Sequence, residues 1–368
     1  MKKISALIFS LIFSLTLASG CSQNFSTKTE VFYAMQCEGG LVISEQFNGG
    51  REKEFEGLTL KVKELLINID NSLSVGIESS YVNKFNSAAA GETVEVDFIF
   101  YDVMKIAKKM YNFTDGYYNP AVYYSVENFG FHTADANPPQ DGLPSDEDVL
   151  KYKALSNAFP ETELFEKDGK YYVKKPVAAQ EIDGAICALK LDLGGIGKGY
   201  AADGIKDIIS SYGFKYGYFN FASSSMYCME HYKNGGYELN FVNPRPENQT
   251  SYMQCSVKNA TLSTSGDYEK YYTYGGERYC HIIDPTTAKP VKTGIMTATV
   301  IGGGAAEGDA LSTAIMAMGR DRAKKFISEK LTDRQAAFTY DNGGKYEIYI
   351  NSEKENFEIC DGRFSFGE

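Results

Sequence analysis

The chain has 368 residues, enough for one large folded unit or two medium ones with a sizeable core. Its formal net charge is −11, which argues against a nucleic-acid partner, because phosphate binding rests on Lys and Arg. Ordinary hydrophobic and charged fractions exclude a disordered chain, and abundant Tyr and Phe without any Trp favour aromatic-rich sheets.

The first residues, "MKKISALIFSLIFSLTLASGC", read as an export signal. Two lysines precede an apolar run from Ile4 to Ala18 that is short for a membrane span. The ending "LASGC" resembles a bacterial lipobox, with Ala18 where leucine is commoner, so residues 1–20 read as a signal peptide and Cys21 as the lipid-bearing residue. A plain secreted protein cleaved nearby is the alternative. Residues 21–29 are polar and read as a lipidated tether, with one domain over 30–368. The expected location is the outer side of the bacterial cytoplasmic membrane, tethered by lipid on Cys21. The other six cysteines have neither C-x-x-C nor zinc spacing, and they read either as disulfide partners or as small buried hydrophobes.

In chain order, the spacing of Leu58, Val62, Leu65, Leu66, Ile69 and Leu73 predicts a helix over about 56–73. A second helix follows Asp97 as its N-cap, and a third opens at Ser145 with Asp148 three residues on, a capping-box pattern. Strands are predicted at Tyr171–Val173, Leu189–Leu193, Tyr216–Phe221, Tyr237–Val242, Thr297–Ile301, Gln335–Tyr340 and Tyr346–Ile350. Helices are predicted near Gly199–Tyr212, Gly308–Met318 and Asp321–Lys330. Hairpin-like strands with inserted helices point to an α+β fold.

Four segments carry candidate chemistry. "LDLGGIGKGYAAD", Leu191–Asp203, places glycines and Lys198 at a helix start, where exposed N–H groups favour an anion such as phosphate. Taken alone it is equally a Gly-rich turn beside a solvated lysine. "STSGDYEKYYTYGGERYCHIIDPTTAKPV", Ser263–Val291, holds one of only three histidines, His281, near Asp284. An imidazole there could accept a hydroxyl proton near neutral pH, although a lone histidine is more often structural. "GDALSTAIMAMG", Gly308–Gly319, puts Asp309 and Thr313 four apart on one helix face. Their hard oxygens suit Mg²⁺; an N-cap with a filler threonine is the plainer reading. "TDGYYNPAVYYSVENFGF", Thr114–Phe131, sets aromatics beside a turn, either to hold a flat ring or as core.

Together these segments resemble the ApbE family, the FAD:protein FMN transferases. "DLGGIGKGYAAD" looks like the family's D-x-G-[GA]-x-x-K-G-Y-x-x-D signature. "SGDYEKY…GERYCHIIDPTTAKPV" is similar to its S-G-x-Y…H-I-[IL]-D-P-x-T-G-x-P block, with Ala288 in place of the usual glycine. "GDALSTAIMAMG", "TDGYYNPAV" and "VFYAMQCE" fall where the family has its D-A-x-[AS]-T-A helix, its T-x-G-x-[FLY]-[DN] segment and an early strand with Met35. The resemblance runs from about Val31 to Phe357 and implies mostly antiparallel sheets with inserted helices and a flavin site between lobes. It implies FAD as substrate and Mg²⁺ or Mn²⁺ as cofactor, with Asp309, Thr313 and the Gly195 carbonyl as metal ligands. It further implies FAD contacts from Met35, Tyr117, Tyr118, Asn119, Asp192, Lys198, His281 and Ile282. Glycines are expected there because side chains would obstruct the diphosphate and the metal.

Two departures stand out. Gly76 lies where the family often stacks a tyrosine on the flavin, a role Tyr81 could take, and "NFASSS" replaces the family's N-x-G-G-N loop. The implied reaction passes FMN from FAD to a Thr or Ser hydroxyl of an acceptor protein, at a D-x-x-[ST]-G-A-[ST]-like site absent from this chain, and releases AMP. His281 is the expected base with Asp284 orienting it, and Lys198 assists. The alternatives are Mg²⁺-dependent hydrolysis of FAD to FMN and AMP, and a non-catalytic FAD-binding lipoprotein.

Overall fold

A computed structural model describes residues 25–133, 135–222 and 224–367; the expected signal peptide and the expected lipidation residue Cys21 lie outside the described residues. The chain organises around a nine-stranded sheet whose spatial order follows the sequence. Its strands are β1 (Ser26–Ala34), β2 (Cys37–Glu45), β3 (Gly217–Phe221), β4 (Ser225–Cys228), β5 (Ala260–Gly266), β6 (Ile295–Ile301), β7 (Gln335–Asn342), β8 (Lys345–Ile350) and β9 (Phe364–Phe366). Neighbours pair antiparallel except for the last pair, which is parallel. The helices are α1 (Arg51–Leu73), α2 (Tyr81–Ser87), α3 (Phe98–Phe113), α4 (Tyr123–Asn128), α5 (Asp146–Asn157), α6 (Gly194–Ser211), α7 (Ala305–Met318) and α8 (Arg320–Lys330). This is the expected α+β class, with the helices inserted between successive strands.

α1, α6 and α7 pack on one face of the sheet and enclose the main core, in which Leu41, Leu58, Ile196, Ile205, Phe219 and Ile315 are fully covered. On the other face, a small antiparallel sheet of Tyr237–Val242, Ser251–Val257 and Phe357–Ile359 builds a second core around Tyr252 and Met253. A third cluster joins α4 and α5 to the Tyr271–Tyr274/Glu277–Cys280 hairpin through Phe131 and Tyr272. Among the described residues no helix is long and apolar enough to cross a membrane. The six described cysteines are free thiols.

Local chemistry explains the element ends. Asp97 caps α3 by accepting the Phe100 N–H at 2.8 Å, and Ser145 caps α5 through the Asp148 N–H at 3.2 Å while its hydroxyl meets Asp148 Oδ2 at 2.6 Å. α1 starts five residues earlier than the apolar pattern, at Arg51. Glu52 and Glu54 favour its first turn, and the Arg51 guanidinium donates to the Tyr212 carbonyl at 3.0 Å.

Two expectations need correction. The tether was expected to run to Thr29, but Ser26–Thr29 already belong to β1, paired with Val42–Glu45 of β2. Leu189–Leu193 is not a strand: its backbone partners are a side chain and a loop. Asn86 Oδ1 accepts the Leu191 N–H at 2.7 Å, Asn86 Nδ2 donates to the Leu191 carbonyl at 2.9 Å, and the Asp192 N–H meets the Pro120 carbonyl at 2.8 Å. The alternation is nonetheless real, since Leu189, Leu191 and Leu193 are all buried.

Candidate active site

The glycines of Leu191–Asp203 lie inside α6, which begins at Gly194 rather than near Gly199. Each glycine in a helix costs about 1 kcal/mol relative to alanine, so packing must hold this turn. It does so at Gly199, where an added Cβ would stand 2.2 Å from the Ala305 carbonyl oxygen. Bare backbone there lets α6 meet the start of α7 directly. A Cβ at Gly197 would stand 3.4 Å from Met35 Sδ, and one at Gly195 would stand 3.4 Å from Thr313 Oγ1 and 3.6 Å from the Tyr118 ring. An added Cβ would approach the expected ligand Thr313 only at Gly195; at Gly197 it would approach Met35, and at Gly199 it would collide with the start of α7.

The helix contact brings Asp309 against α6. Its Oδ2 accepts the Gly199 N–H at 2.6 Å and its Oδ1 accepts the Ser225 hydroxyl at 2.7 Å. In a regular helix the Gly199 N–H closes on the carbonyl four residues back, that of Gly195. Asp309 competes for that one proton, which leaves lone-pair capacity on the Gly195 oxygen. Thr313 lies one turn along α7, its Oγ1 3.3 Å from Ser265 Oγ. Burial pushes the Asp309 carboxyl up, and Lys198 is the cation that pulls it down. Burial works against the Lys198 charge, but the nearby acids, Glu269 first and then Asp309 and Asp192, outweigh it and raise the lysine above its ordinary value. Burial pushes Glu269 up to about 7, with the Lys198 charge opposing. Among the described residues no group of three His, Cys, Asp or Glu is placed for a metal. The set here is one carboxylate, one hydroxyl and one carbonyl, a hard-oxygen set that suits Mg²⁺ with water and phosphate oxygens completing the shell. The buried Tyr118 hydroxyl, which has no hydrogen-bond partner, adds an unsatisfied polar group beside Gly195.

The second block divides. The His281 N–H donates to the Lys270 carbonyl at 3.0 Å, and Nδ1 lies 3.3 Å from the same oxygen. With Nδ1–H facing that carbonyl, Nε2 is the free acceptor. Burial first, then Lys198, holds the imidazole down at about 4, so it is neutral at pH 7. Asp284 does not orient it. Its Oδ1 accepts the Thr286 N–H at 2.8 Å and the Thr286 hydroxyl at 2.7 Å. Asp284 instead lines a separate cavity of about 540 Å³ with Phe129, Tyr279 and Lys289. A carboxylate three residues along a turning chain satisfied its own turn first.

The remaining predicted residues take varied places. Met35 is not on a strand but in the β1–β2 turn at φ 48°, where its N–H meets both Asp70 oxygens at 3.0 and 3.1 Å. Asp192 Oδ1 accepts the Gly194 N–H at 2.8 Å and opens α6. The Asn119 amide is used internally: Nδ2 donates to the Ser156 carbonyl at 3.1 Å and Oδ1 accepts the Ala121 N–H at 2.9 Å. Tyr117 lies under the Arg322 guanidinium, and Ile282 packs into the main core. At Gly76 a Cβ would meet Gln36 Nε2 at 3.3 Å, while the Tyr81 ring is covered by Lys84.

Sequence reasoning missed Ser225, Ser265, Glu269 and Asp70. Ser225 lay in the divergent "NFASSS" loop and Glu269 lay inside the quoted "SGDYEKY"; neither has a spacing that marks it. The model of the ApbE family matches residues 35–338. The chain belongs to the ApbE family. ApbE-family relatives named FAD:protein FMN transferase include one from Buchnera aphidicola, 26% identical over 252 residues (68% of this chain, 70% of that one), and one from Vibrio cholerae, 25% identical over 266 residues (72% and 74%). Among solved structures, the flavin transferase ApbE from Vibrio cholerae superposes with a TM-score of 0.73 at 20% identity, covering 91% of this chain and all of that one. The ApbE protein of Thermotoga maritima gives 0.70 at 26% identity, covering 86% and 94%.

Proposed function

We propose that this ApbE-family chain transfers FMN from FAD to a threonine or serine hydroxyl of an acceptor protein and releases AMP. The observation that carries the reading is the Gly199–Asp309 contact, which joins α6 to α7 where Gly195 lies beside Thr313 and Lys198 feels the Asp309 charge. The names of the relatives support the substrate and the reaction class.

Asp309, Thr313 and Gly195 would hold Mg²⁺ or Mn²⁺, and the ion when bound would neutralise phosphate charge. The chain's own residues account for the rest. Lys198 and the first turn of α6 attract the diphosphate. Neutral His281 takes the proton of the acceptor hydroxyl at Nε2. The hydroxyl oxygen bonds to the FMN-side phosphorus, the bond from that phosphorus to the bridging oxygen breaks, and AMP leaves with that oxygen. Positioning and charge neutralisation supply most of the catalysis in such transfers.

The test is to incubate the chain lacking residues 1–21 with FAD, Mg²⁺ and an acceptor domain bearing a D-x-x-[ST]-G-A-[ST]-like site, then to measure intact mass. An FMN-sized gain on the acceptor, lost in Asp309→Ala, supports transfer. Free FMN and AMP with an unmodified acceptor would point to hydrolysis, and intact bound FAD to a binding protein. We place the reaction outside the cytoplasm, on a chain anchored by lipid at Cys21. A lipid-sized mass on the N-terminal peptide, lost in Cys21→Ser, checks this.

A further inference from the structure

His132 belongs to none of the four motifs, yet it touches the cleft. It follows Phe131 beyond α4, and its ring stands edge-on to Tyr123 with centroids 4.3 Å apart. Nδ1 lies 3.8 Å from Glu127 Oε1 and Nε2 lies 3.5 Å from Asp192 Oδ2. All three side chains sit on a line from α4 to the turn that opens α6. The His132 and Asp192 side chains keep only 18% and 19% of their exposure, so solvent screens their contact weakly. Nε2 makes no hydrogen bond, so its link to Asp192 is an ion-pair contact. The other Asp192 oxygen is the one that accepts the Gly194 N–H.

We infer that His132 is a positioning residue for the transfer reaction: as an imidazolium between Glu127 and Asp192, it fixes the Asp192 carboxylate and thereby the start of α6, whose first two turns carry Gly195 and Lys198. The inference rests on reading this cleft as the FAD site. The surrounding charges are consistent with a cation here. Lys190 is turned onto the Tyr123 and Tyr124 rings, 5.0 and 5.2 Å from their centroids. Lys270 donates to the Phe131 carbonyl and feels Asp192 and Asp135. Neither lysine makes an ion pair with Asp192 or Glu127 at contact distance, so His132 is the cation seated between them. Burial works against its charge, but Asp192 and Glu127 outweigh it and push His132 up to about 9.

The sign follows from the raised value. The contribution of this bridge is fully present below the unfolded histidine pKa of about 6.5 and is lost as pH rises through about 9. A merely structural contact would change stability without giving FAD binding an alkaline limb set by Glu127. The experiment uses the full chain in detergent with Mg²⁺, measuring FAD affinity by flavin fluorescence from pH 6.5 to 10. His132 is titrated in parallel by NMR, which is tractable because the chain has three histidines. Wild type should bind FAD several-fold more weakly above pH 9 than at pH 8; any step near 7 belongs to Glu269 beside Lys198 and should be shared by every variant. His132→Gln should be weaker by about five- to tenfold at pH 7, with no limb of its own, and it supplies the baseline for ionisation of the flavin. Glu127→Gln keeps the histidine and should move both the limb and the NMR titration down by about one pH unit. The inference is overturned if His132→Gln binds and titrates like wild type, or if His132 titrates near 6.5. Wild type that binds no FAD at any pH, with His132 still titrating near 9, would overturn the FAD reading of the cleft and this inference with it. Transfer by wild type with an unmoved limb in Glu127→Gln would overturn this inference alone.

Discussion

The glycine-lysine run at residues 191–203 and the block from His281 to Val291 look equally informative in sequence, and the fold treats them differently. The first stays together: Gly199 donates to Asp309, Gly195 lies beside Thr313 one turn along α7, and Lys198 feels the Asp309 charge. The second splits: His281 is buried within reach of the Lys198 charge, while Asp284 bonds Thr286. Helical spacing transmits position, because residues four apart must share a face. A turn transmits little, because each polar side chain can bond the backbone two residues on. Asp309 and Thr313 could be paired from sequence for the first reason, and His281 and Asp284 could not for the second.

The largest expected effect is at the convergent site. Asp309→Ala should lower transfer by about a thousandfold or more, since it removes the proposed metal carboxylate, leaves the Ser225 donor unpaired and returns the Gly199 N–H to the Gly195 carbonyl. EDTA should act in the same direction on wild type and add little on the variant. Intact-mass rates on the acceptor decide it; residual transfer in Asp309→Ala that stays sensitive to EDTA would break the assignment.

The divided block gives the next contrast. His281→Ala should cost about a hundredfold, whereas Asp284→Ala should stay within a few fold. The pH profile sharpens this. A base held at about 4 is already neutral at pH 5, so kcat/KM should keep no limb from His281 between about 5 and 8 and fall with it only near 4; a step near 7 would belong to Glu269 and persist in Glu269-containing His281 variants. An unshifted histidine would give half-activity near 6.5. Stability runs in parallel: the unfolded state takes up the proton first, so stability declines as pH falls from about 6.5 to about 4. A large loss in Asp284→Ala with intact folding would reverse the comparison.

Two glycines of the convergent run should separate packing from chemistry. Gly199→Ala drives a methyl to 2.2 Å from the Ala305 carbonyl, so α6 must shift from α7, and a loss of about 1–3 kcal/mol is expected in urea unfolding. Gly195→Ala meets Thr313 Oγ1 only at 3.4 Å. Its stability should hold or rise by up to about 1 kcal/mol from helix propensity, while transfer drops about tenfold or more. Equal losses of stability in both variants would erase the distinction.

Much of the architecture was legible because it rests on local rules. Asp97 and Ser145 cap the helices expected of them, and Tyr237–Val242 is a strand as read. What was not legible depends on partners distant in sequence. The Leu189–Leu193 segment has the alternation of a strand, but Asn86, about a hundred residues earlier, occupies its hydrogen bonds. β1 was hidden behind polar residues because one of its faces lies open, with Thr27 and Thr29 exposed. Ser225 and Glu269 reach the cleft only through the order of strands in the sheet and the loop that follows β5, which no residue spacing reveals.

The smallest expected effect lies in the turn where the chain departs from its family. Ala288 stands at φ 57°, a left-handed conformation that costs a residue with a Cβ about 1–2 kcal/mol. Ala288→Gly relieves that strain, yet it also removes a fully buried methyl worth about 0.8 kcal/mol and adds about 0.5–1 kcal/mol of unfolded-chain entropy. These terms nearly cancel, so the urea midpoint should move by the equivalent of about 1 kcal/mol or less. Ala288 sits on the side of the block that Asp284 shares, where its N–H bonds the Asp284 carbonyl at 2.8 Å and its carbonyl accepts the Ser125 hydroxyl at 2.9 Å. Transfer should therefore match wild type. A marked gain in stability would mean that the methyl packs less tightly than its burial implies. A loss of transfer would mean that this turn communicates with His281 after all, and that the two halves of the block act as one.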